Sequence, residues 1–288
     1  MPQGQTRLSQ LAGQWYPGSQ AKIEAELEAW QDYLGSFKRP NGQIMAIIVP
    51  HAGWYFSGKL AALAFSLAVN SFGHQGPKLL VIMGGHLGRP SPMVAYQENF
   101  WQTPLGPVSL APELNLELIG PDLIPITWKG PTDDNTIEVQ LPLAKFYAPE
   151  ARVWALRVPP GPKALSLGAL LAKMIQARAG QILLVASTDL THYGPAYGFA
   201  PAGSGPEGEE YRFKNDRSFI EAALALDPLA MILAGVNNQA ACSAGAAAAA
   251  TEAARILGAQ PKLLDHYSSY EISPGHISVG YAALSFEI

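Results

Sequence analysis

The sequence predicts an α/β protein of one domain, in which a mainly parallel central sheet is flanked by helices. Short runs of consecutive apolar residues alternate with glycine-rich or polar turns and helical stretches, a pattern typical of parallel strands covered on both faces. Apolar residues make up 48% of the 288 residues and charged residues only 15%, so the chain can bury a large core. No repeat or linker divides the sequence. One domain over residues 1–288 is therefore expected, with two domains as the alternative at this length.

The first predicted elements are a helix and four buried strands. A helix follows Ser19, where apolar residues recur at helical spacing: Ile23, Leu27, Trp30 and Leu34. Each predicted strand is a short apolar run without polar alternation, as in strands that are buried on both faces. These runs are IMAIIV at 44–49, LLVIM at 79–83, VWALRV at 153–158 and ILLVAS at 182–187.

The other segments predict a hairpin, a loop, a helix and two closing strands. FWQTPLGPVSL at 100–110 contains two short strand-like pieces and predicts a hairpin. The stretch 195–210 is rich in Gly and Pro and predicts a mobile loop. An alanine-rich helix at about 244–257 precedes the two closing strands, PKLLDHYSS at 261–269 and ISVGYAALSF at 277–286.

The charge and apolar patterns exclude several classes of function. The net charge is -4 and no cluster of Lys and Arg interrupts it, so neither nucleic acid nor an anionic membrane surface is an expected partner. The N-terminal segment lacks the pattern of a signal peptide, and no apolar run is long enough to span a bilayer. A single cysteine forms no internal disulfide. A cytoplasmic protein is therefore expected.

Three histidines come shortly after predicted buried strands. His51 follows IMAIIVP, His86 follows LLVIMGG, and His192 follows ILLVASTDLT. Because the carboxyl ends of parallel strands meet at one edge of a sheet, where α/β proteins bind ligands, these imidazoles are expected to share a site. The alternative for each is a hydrogen-bonded histidine of the core or of a turn.

Two further residues extend this candidate site. Asp189 lies three positions before His192, close enough to fix the tautomer of that imidazole and raise its basicity. Cys242 precedes the alanine-rich helix, whose N-terminus favours the thiolate, the form that binds metals. Two imidazoles and one thiolate suit iron, copper or zinc and leave a position open for water or substrate. The alternatives are a helix N-cap at Ser187, Thr188 or Asp189 and an inert, packed cysteine.

Several longer motifs, taken in order, resemble those of the Memo family. They are AGQWYPGS at 12–19, VPHAGWYFSGK at 49–59, GGH at 84–86, TPLG at 103–106, IEVQLPL at 137–143, STDLTHYG at 187–194 and VGYAALSF at 279–286. The resemblance runs nearly end to end, and the ordered occurrence of these motifs is far more specific than any one of them.

The resemblance implies a fold similar to that of the class III extradiol dioxygenases. It places the family's metal ligands on His51, His86 and Cys242, and the family's nearby Asp and His, the expected catalytic residues, on Asp189 and His192. Iron is the implied metal, with copper or zinc as alternatives. Bacterial and archaeal members are described as protein B of the AmmeMemoRadiSam system, which implies a radical-SAM protein as partner.

One position departs from the family's pattern. Family members usually show a histidine two residues before the IEVQLP-type string, whereas this chain has Asn135. Asparagine exchanges hydrogen bonds but does not act as a proton-transfer base, so this member is expected to bind metal without acting on the same substrate. Glu138 and Gln140 are retained and are expected to line the substrate pocket together with Asn135.

Three functions follow as hypotheses. The leading one is a metal-binding redox protein, in which iron binds dioxygen or a small ligand while His192 and Asp189 move protons. The second is a ring-cleaving extradiol-type dioxygenase, for which aromatic residues supply the pocket walls. These residues are Trp15, Tyr16, Trp54 and Tyr55. The third is a non-enzymatic module that holds a peptide or a partner's loop in the pocket.

Overall fold

A mixed sheet of nine strands forms the centre of the computed structural model, which describes residues 5–115, 123–126 and 134–288. The described residues form the strands β1 Thr6–Arg7, β2 Ile44–Val49, β3 Leu79–Gly84, β4 Met93–Tyr96, β5 Phe100–Thr103, β6 Gly106–Ser109, β7 Leu123–Ile126, β8 Arg152–Arg157, β9 Ile182–Ser187, β10 His192–Tyr193, β11 Gln260–Ser268 and β12 Ser278–Glu287. The order in the large sheet is β10-β12-β2-β9-β3-β8-β4-β7, with β11 beside β12. β1, β5 and β6 form a separate small sheet.

Helices cover both faces of the large sheet. They are α1 Gln20–Ala29, α2 Gln31–Gly35, α3 Trp54–Ser71, α4 Leu141–Tyr147, α5 Pro162–Ala177, α6 Pro206–Leu224, α7 Pro228–Asn238, α8 Ala244–Leu257 and α9 Ser269–Ile272. α1 to α4 contribute to the apolar core on one face, and α5 to α8 contribute to the core on the other. The predicted α/β architecture with flanking helices is therefore confirmed.

The apolar strands contribute side chains to both cores because successive side chains of a strand point to opposite faces. In β3, Val81 and Met83 pack in the core under α5 and α8, whereas Leu80 and Ile82 pack in the core under α3. All four side chains are completely buried. This is why these runs contain no polar alternation.

The sheet is mixed, so the prediction of a mainly parallel sheet is wrong. The central strands β2, β9, β3 and β8 are parallel to one another, as expected for strands joined by crossover helices. β12 runs antiparallel to β2, β10 and β11, and β4 runs antiparallel to β8. The connection from β11 to β12, residues 269–277, is shorter than the dozen or so residues that a parallel crossover needs.

The predicted elements correspond closely to the observed ones. β2 and β9 have the predicted bounds, β3 ends one residue later than predicted, and β8 begins and ends one residue earlier. The hairpin β5–β6, the alanine-rich helix α8 and the closing strands β11 and β12 are also present. The helix after Ser19 is divided at Trp30 into α1 and α2.

The stretch 195–210 is not a loop throughout. α6 begins at Pro206, directly after Gly205, whose φ of +83° ends the preceding turn. Proline fits the first position of a helix because its missing N–H would have no helical partner there. Among the described residues, no helix combines the length and the apolar character that crossing a membrane requires.

Candidate metal site and its cavity

Three neighbouring parallel strands end at one edge of the sheet and place the candidate site there. β2 leads into His51, β3 into His86, and β9 into Asp189. β9 lies between β2 and β3 and is parallel to both. The loops that follow these strands therefore meet, as the sequence predicts.

The side chains of His51, His86 and Cys242 converge on one point. Nε2 of His51 lies 3.2 Å from Nε2 of His86 and 3.1 Å from Sγ of Cys242. All three donor atoms lie within 4.8 Å of one another. His51 is buried, Cys242 is half-buried and His86 is exposed, so the group opens towards solvent on the side of His86.

These donor atoms fit a transition-metal ion. Two ligands held 2.0–2.3 Å from a tetrahedral ion are about 3.3–3.6 Å apart, close to the separations around His51. Imidazole nitrogen and thiolate sulfur suit zinc, copper or iron, whereas magnesium and calcium take oxygen ligands. Three protein ligands leave a further coordination position open. The group is therefore a candidate site for a transition metal.

Polar side chains hold His51 in place. Oδ1 of Asp189 accepts a hydrogen bond from the backbone N–H of His51 at 2.7 Å. Nδ1 of His51 lies 3.2 Å from Oγ of Ser187, which accepts a hydrogen bond from Nε2 of Gln140 at 3.0 Å. Nδ2 of Asn135 donates to the carbonyl oxygen of His51 at 2.8 Å. These contacts fix both the backbone and the ring, so that Nε2 faces the other two ligands.

A second buried carboxylate, Asp134, supports His86. Its Oδ2 accepts a hydrogen bond from the backbone N–H of His86 at 3.3 Å and lies 3.8 Å from the ring Nδ1. The same oxygen lies 2.9 Å from Nη2 of Arg157. No sequence pattern predicts a role for Asp134. Asp134 directly precedes Asn135, the position that departs from the family's pattern, and this neighbourhood could have pointed to it.

We expect Asp134→Asn to weaken metal binding about tenfold, because a neutral amide does not raise the basicity of a ligating imidazole as a carboxylate does. The dissociation constant for zinc, measured in competition with a coloured chelator, checks this result. Asp265→Asn is the matched control, because Asp265 accepts a hydrogen bond from the hydroxyl of Tyr33 at 2.7 Å and touches none of the three ligands. Equal affinities in the wild type and Asp134→Asn would contradict the role given to Asp134.

His192 lies beside the three ligands rather than among them. Its Nε2 is 3.7 Å from Oδ2 of Asp189 and makes no hydrogen bond to any described residue. The ring is one-third exposed, and the ring of Tyr197 packs against it with the centroids 4.9 Å apart. This arrangement leaves a ring nitrogen available to hold or release a proton next to the site.

Charges within the group favour a thiolate next to imidazolium rings. Burial lowers the pKa of His51, but Cys242 and Asp189 raise it more, to about 9. Burial also lowers the pKa of His192, which the same two residues raise to about 10. Burial raises the pKa of the Cys242 thiol, and the surrounding histidines bring it well below its usual range. His51 must therefore give up a proton before Nε2 can bind a metal ion.

A cavity of about 740 Å³ opens beside these residues. Its walls include His51, His86, His192 and Asp189, together with residues of the N-terminal turn and of the segment before β12. Pockets of about 300–1,000 Å³ hold molecules of drug size. The cavity thus gives a small molecule or a short peptide segment access to the candidate metal site.

The predicted pocket residues fall into two groups. Asn135 and Trp15 line the cavity. Tyr55 does not line it, because its side chain is 72% exposed on the outer side of α3. The others are buried in the protein and are not among the lining residues: Tyr16, Trp54, Glu138 and Gln140.

Glu138 holds the N-terminal turn that forms part of the cavity wall. Its Oε1 accepts hydrogen bonds from the backbone N–H groups of Gln10 and Leu11, both at 2.7 Å, and from the hydroxyl of Tyr16 at 2.9 Å. Burial and the nearby carboxylate raise the pKa of Tyr16, so its hydroxyl keeps the proton that it donates. Glu138 therefore supports Trp15 from behind the wall instead of touching the cavity itself.

The fold and the site together define a class: an α/β protein with a candidate metal site of two histidines and one cysteine at the carboxyl edge of its sheet. A family model described as a Memo-like protein matches residues 7–285. The chain belongs to this Memo family, as the motifs of its sequence indicated.

Relatives match this chain over nearly their whole length. A MEMO1 family protein of Thermococcus onnurineus is 33% identical, over 97% of this chain and 99% of the relative. A MEMO1 family protein of Caldivirga maquilingensis is 30% identical, over 98% and 99%. A third, from Pyrococcus abyssi, is 31% identical, over 96% and 98%. These names state a family and no activity.

One solved structure shows a similar fold. The uncharacterized protein JW3007 from Escherichia coli K12 superposes with a TM-score of 0.51 and 14% identity, covering 84% of this chain and 99% of its own. At this identity the likeness concerns the fold alone. The expected likeness to extradiol dioxygenases stays a prediction.

Proposed function

We propose that this protein binds one transition-metal ion through Nε2 of His51, Nε2 of His86 and Sγ of Cys242, and that it uses this site for redox or dioxygen-related chemistry on a small molecule. The observation that carries the proposal is the convergence of these three donor atoms beside a large cavity. Ordinary packing of a core histidine does not bring two further metal ligands to its Nε2.

Iron is the proposed metal, with copper and zinc as competitors for the same ligands. Iron at this site would supply Lewis-acid and one-electron chemistry to a ligand at the open position. The thiolate of Cys242 donates more charge to the site than a carboxylate in its place would. Ring cleavage of the extradiol type uses a carboxylate as third ligand, so it is not part of this proposal.

His192 is the proposed proton carrier. His192 lines the cavity, and the carboxylate of Asp189, 3.7 Å from its Nε2, favours the protonated ring. The pKa of about 10 lets the ring deliver a proton at neutral pH to a molecule that gains negative charge. Asn135, at the position where relatives usually carry histidine, donates a hydrogen bond to the carbonyl oxygen of His51 and does not act as a proton-transfer base.

The proposal includes a cytoplasmic location and a radical-SAM protein as the partner. Both parts rest on the sequence: the location on the single cysteine, which forms no internal disulfide, and the partner on the family resemblance.

Metal analysis of protein purified anaerobically without chelators tests the proposal. We expect about one ion per chain, and less than about 0.1 in Cys242→Ser, because the ligands of a metal site act together. Anomalous scattering from crystals of the iron-loaded protein should show the ion bonded to His51, His86 and Cys242. If the wild-type protein holds under about 0.1 metal per chain and Cys242→Ser changes nothing, a non-enzymatic interaction module explains the pocket better.

A further inference from the structure

Cys242 reaches the candidate metal site from a different part of the fold than the two histidines. It lies in the short segment between α7, which ends at Asn238, and α8, which begins at Ala244. The sheet fixes the places of His51 and His86, which follow parallel strands, but Cys242 belongs to no described strand or helix. Its Sγ nevertheless lies 3.1 Å from Nε2 of His51. Contacts with other segments must therefore hold it there.

Two hydrogen bonds from backbone N–H groups join this segment to the residues that follow β9. The N–H of Cys242 donates to the carbonyl oxygen of Asp189 at 3.2 Å. The N–H of Ser243 donates to Oγ1 of Thr188 at 3.0 Å. Because the two bonds connect consecutive residues on both sides, they fix the direction of the segment as well as its distance.

Thr188 has the most partners in this contact, and it is completely buried. Its Oγ1 accepts the N–H of Ser243, donates to the carbonyl oxygen of Asp189 at 2.9 Å and lies 3.8 Å from Sγ of Cys242. Its backbone N–H donates at 2.8 Å to the carbonyl oxygen of Val49, the last residue of β2. One threonine therefore connects the ends of β2 and β9 with the segment that carries the sulfur.

The hydroxyl of Thr188 has no role in a helix. The sequence leaves a helix N-cap open as an alternative at Ser187, Thr188 or Asp189, but the next element after β9 is the strand β10, so none of the three begins a helix. Buried hydroxyls are almost always hydrogen-bonded, and this one bonds to the segment of Cys242 and to the loop of Asp189. Its contacts thus point to the candidate metal site.

We propose that Thr188 is a positioning residue of the metal site, whose hydroxyl holds Cys242 close enough to His51 for both to bind one ion. The inference rests on the proposed function, because it names the residue that brings the third ligand to the same site. Without the hydroxyl, the buried N–H of Ser243 loses its acceptor. This N–H regains a partner only if the segment moves, and such a movement displaces the sulfur.

Cobalt(II), added to the full chain after bound metal has been removed, tests this inference. A thiolate ligand gives cobalt(II) a charge-transfer band in the near-ultraviolet, and loss of the band in Cys242→Ser assigns it to this sulfur. Thr188→Val keeps the shape of the side chain and removes the hydroxyl. We expect this variant to weaken the band and to bind zinc about tenfold less tightly, as when a metal ligand loses an outer hydrogen-bond partner.

Two further variants at this position show whether the hydroxyl is responsible. Thr188→Ser keeps the hydroxyl, so it should keep the band and bind zinc within about threefold of the wild type. Thr188→Ala removes the same hydroxyl and replaces the valine variant if that variant does not fold. Equal losses in the serine variant and in the valine or alanine variant would overturn the inference, because the hydroxyl would then not be what holds Cys242.

Thr251→Val is the matched control. Thr251 lies in α8 and is completely buried like Thr188, but its hydroxyl makes no hydrogen bond to any described residue. Valine at this position should change neither the band nor the affinity for zinc. Urea unfolding of the metal-free variants measures general stability separately. If Thr188→Val lost stability but kept the band and the affinity of the wild type, its role would be merely structural and the inference would be wrong.

The cobalt spectra also distinguish this inference from the proposed function. A wild type that shows the sulfur band, together with an unchanged Thr188→Val, contradicts the inference and leaves the metal site intact. A wild type that binds cobalt without the band, or binds no cobalt, contradicts the proposed function and the inference with it.

Discussion

His86→Ala is expected to lose bound metal almost completely. His86 supplies one of three donor atoms. Loss of an outer hydrogen-bond partner of a metal ligand lowers the metal affinity about 10- to 100-fold, so the loss of a ligand itself should lower it further. The side chain is exposed, so the fold should tolerate the change. Metal content after gel filtration, together with the dissociation constant for zinc, measures the effect.

His192→Ala is the control for this experiment. His192 lies equally close to the cavity but is not one of the three convergent ligands. We expect its metal content to stay near that of the wild type, while any turnover that needs a proton falls. If both variants lost metal to the same extent, the division between ligands and proton carrier would be wrong.

Glu138→Ala should lower the free energy of unfolding by about 3 kcal/mol, because it removes the acceptor of three hydrogen bonds from partly or wholly buried donors. The release of a buried charge offsets part of the loss. Because Glu138 holds the turn that carries Trp15, the variant should also lose affinity for cavity ligands. Urea unfolding at 25 °C measures the first effect.

Glu138→Gln and Glu150→Ala complete this experiment. The amide oxygen of glutamine still accepts hydrogen bonds from the turn, so we expect a smaller loss of stability. Glu150 is exposed and should tolerate alanine within about 0.5 kcal/mol. If Glu138→Ala unfolded at the same urea concentration as Glu150→Ala, the N-terminal turn would not depend on this carboxylate.

The strands of the sheet could be predicted well from the sequence, but their directions could not. β2 and β9 are predicted to the residue because each is an unbroken apolar run between polar turns. Strand direction depends on which strands become neighbours. The pairing of β12 with β2 joins segments more than two hundred residues apart, and no local pattern in either segment encodes it.

At the candidate site, the residues that follow the strands were the ones best predicted from the sequence. His51 and His86 could be placed together because parallel strands share an edge, whereas Cys242 was assigned from its place before a helix N-terminus and from the family resemblance. The direction of side chains in irregular segments could not be predicted from the sequence. Glu138 and Gln140 were expected in the pocket, but their local turn directs them into the protein, towards backbone groups that need acceptors and donors.

The position of β2 between β9 and β12 has a consequence for the order of events during synthesis. Residues 44–49 leave the ribosome early, yet one of their two neighbours in the sheet is formed by residues 278–287. One edge of β2 therefore stays unpaired until residues 278–287 have been synthesised. An unpaired apolar strand is prone to associate with other chains. Nascent chains interrupted before residue 278 are therefore expected to aggregate or to be degraded.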